Sequence, residues 1–214
     1  MKTGHQPRFD REVSVRAALQ ALLGNLAVVT FACLLALPCI LWGIPHGFTP
    51  DLHINYSHNF TAQFWDGDVY PRWLVGSNAG YGSPIFLVQY PLPYVLSALI
   101  RPIVSFPPDA SREARELGIV FFIELMAAGL AARFWLRRFV GPTAATLAAL
   151  TYMALPYILD VEFYMRTSIG AVCTMIWMPL ALGLAESIRL RPRVVVGLGS
   201  VSYTHLTLPT ILRV

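Results

Sequence analysis

Three groups of residues in an otherwise apolar chain have the types and spacing to do chemistry. Asp51 and His53 stand two apart in TPDLHINYSHNF, a carboxylate and an imidazole suited to act as a general base or to hold a metal. Asp51 also follows Thr49-Pro50 at the start of a helical pattern, where an acid serves equally as an N-cap. Further on, DVEFYMRTS packs Asp160, Glu162 and Arg166 into one short segment. Charged groups at membrane depth need partners and often mark sites. The four-residue step from Glu162 to Arg166 equally allows a simple ion pair. Between these groups, Arg72 and Trp73 follow Pro71 in DGDVYPRW. A guanidinium grips phosphate in a two-pronged geometry, and an indole anchors at headgroup depth.

The remaining polar signals read as scaffold. Asp66-Gly67-Asp68 has the pattern of a helix stop followed by a turn. GYGSP (80–84) is too short for a nucleotide loop and follows no strand, which leaves close backbone packing as its use. Glu124 stands alone in an apolar run, where a neighbouring helix is expected to satisfy it. Cys33, Cys39 and Cys173 have no zinc or redox spacing and read as small apolar fillers.

The elements that must position these residues are membrane spans. Of 214 residues, 56% are hydrophobic and only 13% charged, and the mean hydropathy is +0.56. Soluble domains carry about a quarter charged residues, so the composition excludes an ordinary soluble domain. Apolar runs at 17–44, 117–132 and 169–185 are long enough to cross a bilayer, and a shorter alanine-rich run at 142–159 makes a fourth. The net charge of +4 does not point to nucleic acid, because the basic residues sit in short clusters beside the apolar runs.

Those clusters set the expected topology. Lys2, Arg8, Arg11 and Arg16 precede the first span and place the N-terminus in the cytoplasm. If 84–100 crossed, Arg133, Arg137 and Arg138 would lie outside, together with Arg189, Arg191 and Arg193. The charge bias therefore makes 84–100 an in-plane or re-entrant segment. Pro84, Pro91 and Pro93 interrupt its helical bonding, and Tyr90 and Tyr94 suit the headgroup layer. The expected fold class is an all-α membrane protein with about four transmembrane helices. A long outer loop, 45–116, then shares one face with DVEFYMRTS. Within it, Leu52, Tyr56, Phe60 and Phe64 form an apolar stripe of an interfacial helix, flanked by a track of Asp51, Asn55, His58 and Ala62.

DGDVYPRW followed by GYGSPIFLVQYPLPY resembles a signature of bacterial polytopic GT-C-type glycosyltransferase relatives. Some are labelled 6-pyruvoyl-tetrahydropterin-synthase-related membrane proteins, a label that does not imply pterin chemistry. The resemblance covers roughly residues 10–195. It implies a sugar donor carried on a polyprenyl phosphate in a bacterial inner membrane, with membrane lipid as the surrounding partner. It also implies a partial GT-C-like domain over 17–200, after a cytoplasmic tail at 1–16. Asp51 takes the place of the group's base or metal ligand in the first outer loop, and Asp160 and Glu162 match the acids that complete the site. His53, Arg72 and Arg166 are then candidates to hold the donor phosphate, with Trp73 beside them. A divalent ion bridging Asp51, Asp160 and Glu162 would be magnesium or manganese, which favour hard oxygen ligands, although not every GT-C enzyme needs one. Two positions depart from the group. No glutamate stands near Ala171, and Asn55 replaces a histidine found in some relatives.

VSYTHL and the residues after it, 201–214, resemble a translated transposon adapter, so the natural protein is expected to continue with further spans. The competing function is a non-catalytic membrane protein that binds or transports a lipid-linked carrier. In a transporter, charges near the midplane are expected, and only Glu124 fits. The topology is open to direct test. A cysteine placed at Ser105 or Ala110 should react only with reagent applied to the outer face, and labelling from the cytoplasm would overturn it.

Overall fold

The computed structural model describes residues 6–104 and 112–188, and these are all-α with no strand among them. The tail at 201–214 and the Ser105–Ala110 labelling positions lie outside the described residues. The order is α1 (Gln6–Trp42), α2 (Pro50–Trp65), α3 (Leu92–Ile100), α4 (Arg112–Leu136), α5 (Pro142–Met153), a π-helix (Tyr157–Met165) and α6 (Ile169–Ile188). Four segments are long and apolar enough to span a membrane: Ser14–Trp42, Arg112–Leu136, Pro142–Met165 and Ile169–Glu186. The chain is thus an integral membrane protein by length and composition. Helix α3 has nine residues, which rise about 14 Å against a hydrocarbon core of roughly 30 Å. It is too short to cross, in keeping with the in-plane expectation for 84–100.

Helix α4 is the central one. In its most apolar stretch 61% of residues are buried, against 22% to 33% in the other three spans. Val28, Ala32, Ala36 and Cys39 recur every three or four residues along α1 and make a small-residue seam facing α4. The two backbones come very close there. A β-carbon on Gly118 would overlap the Cys39 carbonyl oxygen, and one on Gly43 would crowd the Ala114 backbone. The Ile44 N–H completes this end by donating to the Ala114 carbonyl at 2.9 Å. The opposite face of α1 carries exposed Leu19, Leu22, Leu26, Leu34 and Leu41, as a lipid-facing surface should.

At the other end of the bundle, Arg133 lies buried among α1, α4 and α5. Its Nε donates to Thr146 Oγ1 at 2.9 Å and its Nη1 donates to Asn25 Oδ1. A side chain at Gly24 would occupy the space of its guanidinium, which explains a glycine inside a span.

Helices α2 and α3 form a layer across the other end. Tyr56, Phe60, Phe86 and Tyr94 interlock as a buried aromatic cluster, with ring centroids 5.0 to 6.3 Å apart. Phe64 packs on its edge, and Leu52 alone of the expected stripe stays exposed. Asp51, Asn55, His58 and Ala62 are exposed, as the periodicity indicated. Tyr94 departs from expectation, being fully buried in the cluster instead of lying at headgroup level. The reason is its pairing across α2 and α3 with His53, beside the Ser57–Ser97 hydroxyl pair at 2.8 Å.

One ionic network ties this layer to α4. Arg101, just past α3, donates through Nε and Nη2 to both oxygens of Glu116 at 2.8 to 3.2 Å and through Nη2 to Glu113 at 3.1 Å. Arg112 donates to Glu116 at 3.1 Å, and His58 on α2 meets Glu113 at 2.9 Å. Glu116 is fully buried, so its partners cannot be replaced by solvent. Removing one member of a buried pair leaves an uncompensated charge. Arg101→Ala should therefore lower stability by about 3–5 kcal/mol, read as a drop in melting temperature of the detergent-solubilised protein. Glu186→Ala, which breaks only the long 3.9 Å contact to Arg138, should change it by less than about 1 kcal/mol.

Candidate functional site

The two halves of the DGDVYPRW…GYGSP motif meet in space. Leu74 and Ser83 form an antiparallel bridge, Leu74 N–H to Ser83 O at 2.8 Å and Ser83 N–H to Leu74 O at 3.0 Å. The chain reverses between them through backbone with positive φ at Asn78, Ala79, Gly80 and Gly82. The turn is held by Gly82 N–H to Ser77 O at 2.9 Å and by Asn78 Nδ2 to Gly82 O at 3.0 Å. Gly82 has a second constraint, because the Trp73 indole lies directly against it and a β-carbon would overlap the ring. Gly82 thus seats a tryptophan, and Gly80 supplies a positive φ to the turn.

On the same scaffold an open bowl of about 640 Å³ is lined by Gln63, Asp68, Tyr70, Arg72, Trp73 and Val75. Its parts are held individually. The Tyr70 hydroxyl donates to Phe86 O at 3.1 Å, which fixes the ring. Gln63 is spent on backbone, Nε2 to Trp73 O at 2.9 Å and Oε1 accepting from Val75 N–H at 3.2 Å. Asp68 accepts the Tyr70 N–H through Oδ1 at 3.3 Å, with Gly67 at φ 109° in the turn before it. Arg72 lies over the Tyr70 ring, 5.7 Å from its centroid, and makes no ion pair among the described residues. Trp73 is 51% exposed. The bowl therefore presents one uncommitted cation, one carboxylate and two fixed ring systems. Of these, Arg72 and Trp73 were legible as candidates. Gln63, Asp68 and Tyr70 were not, although Asp68 and Tyr70 stand in the same quoted motif. Turn chemistry accounted for Asp68, and only the fold shows that the turn faces a cavity.

The second cluster lies where the two loops touch. Phe48 N–H donates to Met165 O at 2.9 Å, and Thr167 Oγ1 donates to Pro45 O at 3.4 Å. Gly47 fits against the Met165 carbonyl, where a side chain has no room. This clasp brings the first loop, three residues before Asp51, onto the segment that carries Asp160, Glu162 and Arg166. That segment is helical and not an open loop. Pro156 interrupts the hydrogen bonding of α5, and Tyr157–Met165 continues as a π-helix, a form concentrated at functional sites. Glu162 is buried, with Oε1 receiving Arg166 Nη1 at 2.8 Å and Oε2 without a hydrogen-bond partner among the described residues. Asp160 is exposed on the same helix, and the Arg166 side chain is 60% exposed.

Several expected roles change. Thr49 is the N-cap of α2 and Pro50 its first residue, so Asp51 sits exposed in the first turn without capping it. The expected metal set of Asp51, Asp160 and Glu162 is not assembled. Among the described residues no group of three or more His, Cys, Asp or Glu side chains could hold an ion, and Glu162 is already committed to Arg166. His53 does not face a phosphate. It is buried, with Nδ1 2.7 Å from the Tyr94 hydroxyl, and burial pulls its pKa down to about 4, so the ring is neutral near pH 7. Glu124 is fully buried in α4, yet neither carboxyl oxygen has a hydrogen-bond partner among the described residues, so the expected satisfaction by a neighbouring helix is not seen there.

The His53 environment makes stability pH-dependent. Its unfolded-state pKa of 6.5 exceeds the folded value of about 4, so the unfolded chain binds the proton more readily between them. The contribution is fully present above pH 6.5 and is lost as pH falls towards 4, amounting to about 3 kcal/mol. Melting temperatures measured from pH 7 to pH 5 in detergent should fall more steeply for the native protein than for His53→Gln. Equal slopes would show that His53 is not the group responsible.

Comparisons of the chain with protein-family models, with curated proteins and with solved structures find no match.

Proposed function

We propose that this chain is part of an integral membrane glycosyltransferase of the GT-C type. It takes a sugar from a polyprenyl-phosphate donor and passes it to an acceptor at the outer face of a bacterial inner membrane, with its N-terminus in the cytoplasm. The observation that carries the reading is the clasp between the two loops, Phe48 N–H to Met165 O. It draws the start of α2, with Asp51, to the same end of the bundle as Asp160, Glu162 and Arg166. The motif resemblance of DGDVYPRW and GYGSPIFLVQYPLPY supports the same assignment.

In this mechanism Asp51 removes the proton of an acceptor hydroxyl as its oxygen attacks the anomeric carbon. The bond from that carbon to the phosphate oxygen breaks, and polyprenyl phosphate leaves with the bonding electrons. Arg166, exposed at the Asp51 end of α2, holds the phosphate through charge-assisted hydrogen bonds, and Arg72, exposed beside the far end of α2, contacts a second anionic group of the substrate. His53 keeps α2 in place through Tyr94 and stays neutral.

A second reading is favoured by one observation. Glu162 is already tied to Arg166, and the acids are not gathered around a common point. Such an arrangement suits a protein that binds a lipid-linked carrier without turning it over. Membranes containing the natural protein, supplied with radiolabelled polyprenyl-phosphate hexoses, separate the two. Under the enzymatic reading Asp51→Asn cuts transfer by about 100-fold or more while donor binding and membrane insertion persist. Full transfer in Asp51→Asn would remove Asp51 from the mechanism, and donor binding with no transfer by the native protein would favour the binder.

A further inference from the structure

The bowl beside Arg72 carries more recognition chemistry than a phosphate contact needs. We infer that it is a binding site for an anionic saccharide, with Tyr70 and Trp73 as its ring platforms and Asp68 as its hydroxyl acceptor. The inference rests on the reading of Arg72 as an anion contact given above and names the ligand class for that site.

Four features point to a sugar. Tyr70 and Trp73 are both immobilised, one by its hydroxyl bond to Phe86 O and the other by its seat on Gly82. Fixed, half-open ring faces carry partial negative charge and meet the polarised C–H bonds of a pyranose. Asp68 uses one oxygen on the Tyr70 N–H and is exposed, leaving the other to accept sugar hydroxyls. Arg72 stands over Tyr70 with no carboxylate paired to it among the described residues, so a negative substituent on the sugar would meet its guanidinium. The space, about 640 Å³, is a shallow, widely open depression, which suits a headgroup that stays attached to a carrier. A bare phosphate would leave Asp68 facing an anion and the two rings unused. The chemistry is shared by a glycosyl phosphate and by a sugar acid, and the probes below distinguish them.

The test is a ligand-detected NMR titration of the full chain in detergent. The probes are the glycosyl phosphates of glucose, galactose, mannose and N-acetylglucosamine, glucuronate, methyl glucoside and inorganic phosphate. At least one glycosyl phosphate or glucuronate should bind, and whichever is tighter identifies the anionic group. Asp68→Asn should weaken it about tenfold, as loss of a charged hydrogen-bond partner does. Arg72→Ala should abolish the preference for the anionic sugar over methyl glucoside. Tyr70 also holds the Phe86 carbonyl, so the exposed Asp68 change is the informative one if Tyr70→Ala fails to fold. The inference is overturned if no saccharide binds, if inorganic phosphate binds as tightly as the sugars, or if Asp68→Asn binds like the native chain. Saccharide binding without transfer leaves this inference standing and removes the proposed enzyme. Transfer that is indifferent to Asp68→Asn does the reverse.

Discussion

A fully buried carboxylate at the mouth of a four-span bundle is the constraint on which the loop architecture depends. Glu116 lies inside α4 near its start, where an unpaired charge would cost several kcal/mol. Arg101 answers it with a two-pronged contact and reaches Glu113 as well, which fixes where α3 ends relative to α4. His58 then carries the connection from Glu113 to α2. The aromatic cluster between α2 and α3 can only sit where these ions hold it. In turn, Phe86 in that cluster accepts the Tyr70 hydroxyl, and the bowl inherits its geometry from there.

The spans themselves are held in a different way. Lipid gives apolar side chains little reason to leave it, so association relies on close backbone approach and on the few polar groups available. Gly118 against Cys39, Gly43 against Ala114 and Gly129 against Met153 provide the first. Arg133 with Asn25 and Thr146 provides the second. Such a bundle can tolerate the π-helix at Tyr157–Met165, because Pro156 ends the regular ladder just where the chain turns towards the clasp.

The motif DGDVYPRW…GYGSP shows how local chemistry and tertiary placement divide the work. Pro71, the Asp-Gly-Asp turn and the paired glycines announce tight backbone, and tight backbone is what they make. Why the backbone must be tight is visible only in space, since Trp73 needs the missing side chain of Gly82 nine residues later. Asp51 and His53 illustrate the converse. Two residues apart on a helix, they look like partners, yet that step turns the side chains to different faces. One is therefore exposed and the other buried against Tyr94.

Composition and periodicity alone determined that this is an all-α membrane chain, where its four candidate spans lie, and that α2 carries one apolar and one polar face. Those properties follow from transfer free energy and helical geometry, which are local. The pairing of Arg101 with Glu116, the meeting of Trp73 with Gly82, the burial of His53 and the burial of Glu162 against Arg166 were decided by tertiary structure. Each joins residues whose distance depends on how helices pack, and charge pairing and desolvation have no value until that distance is set.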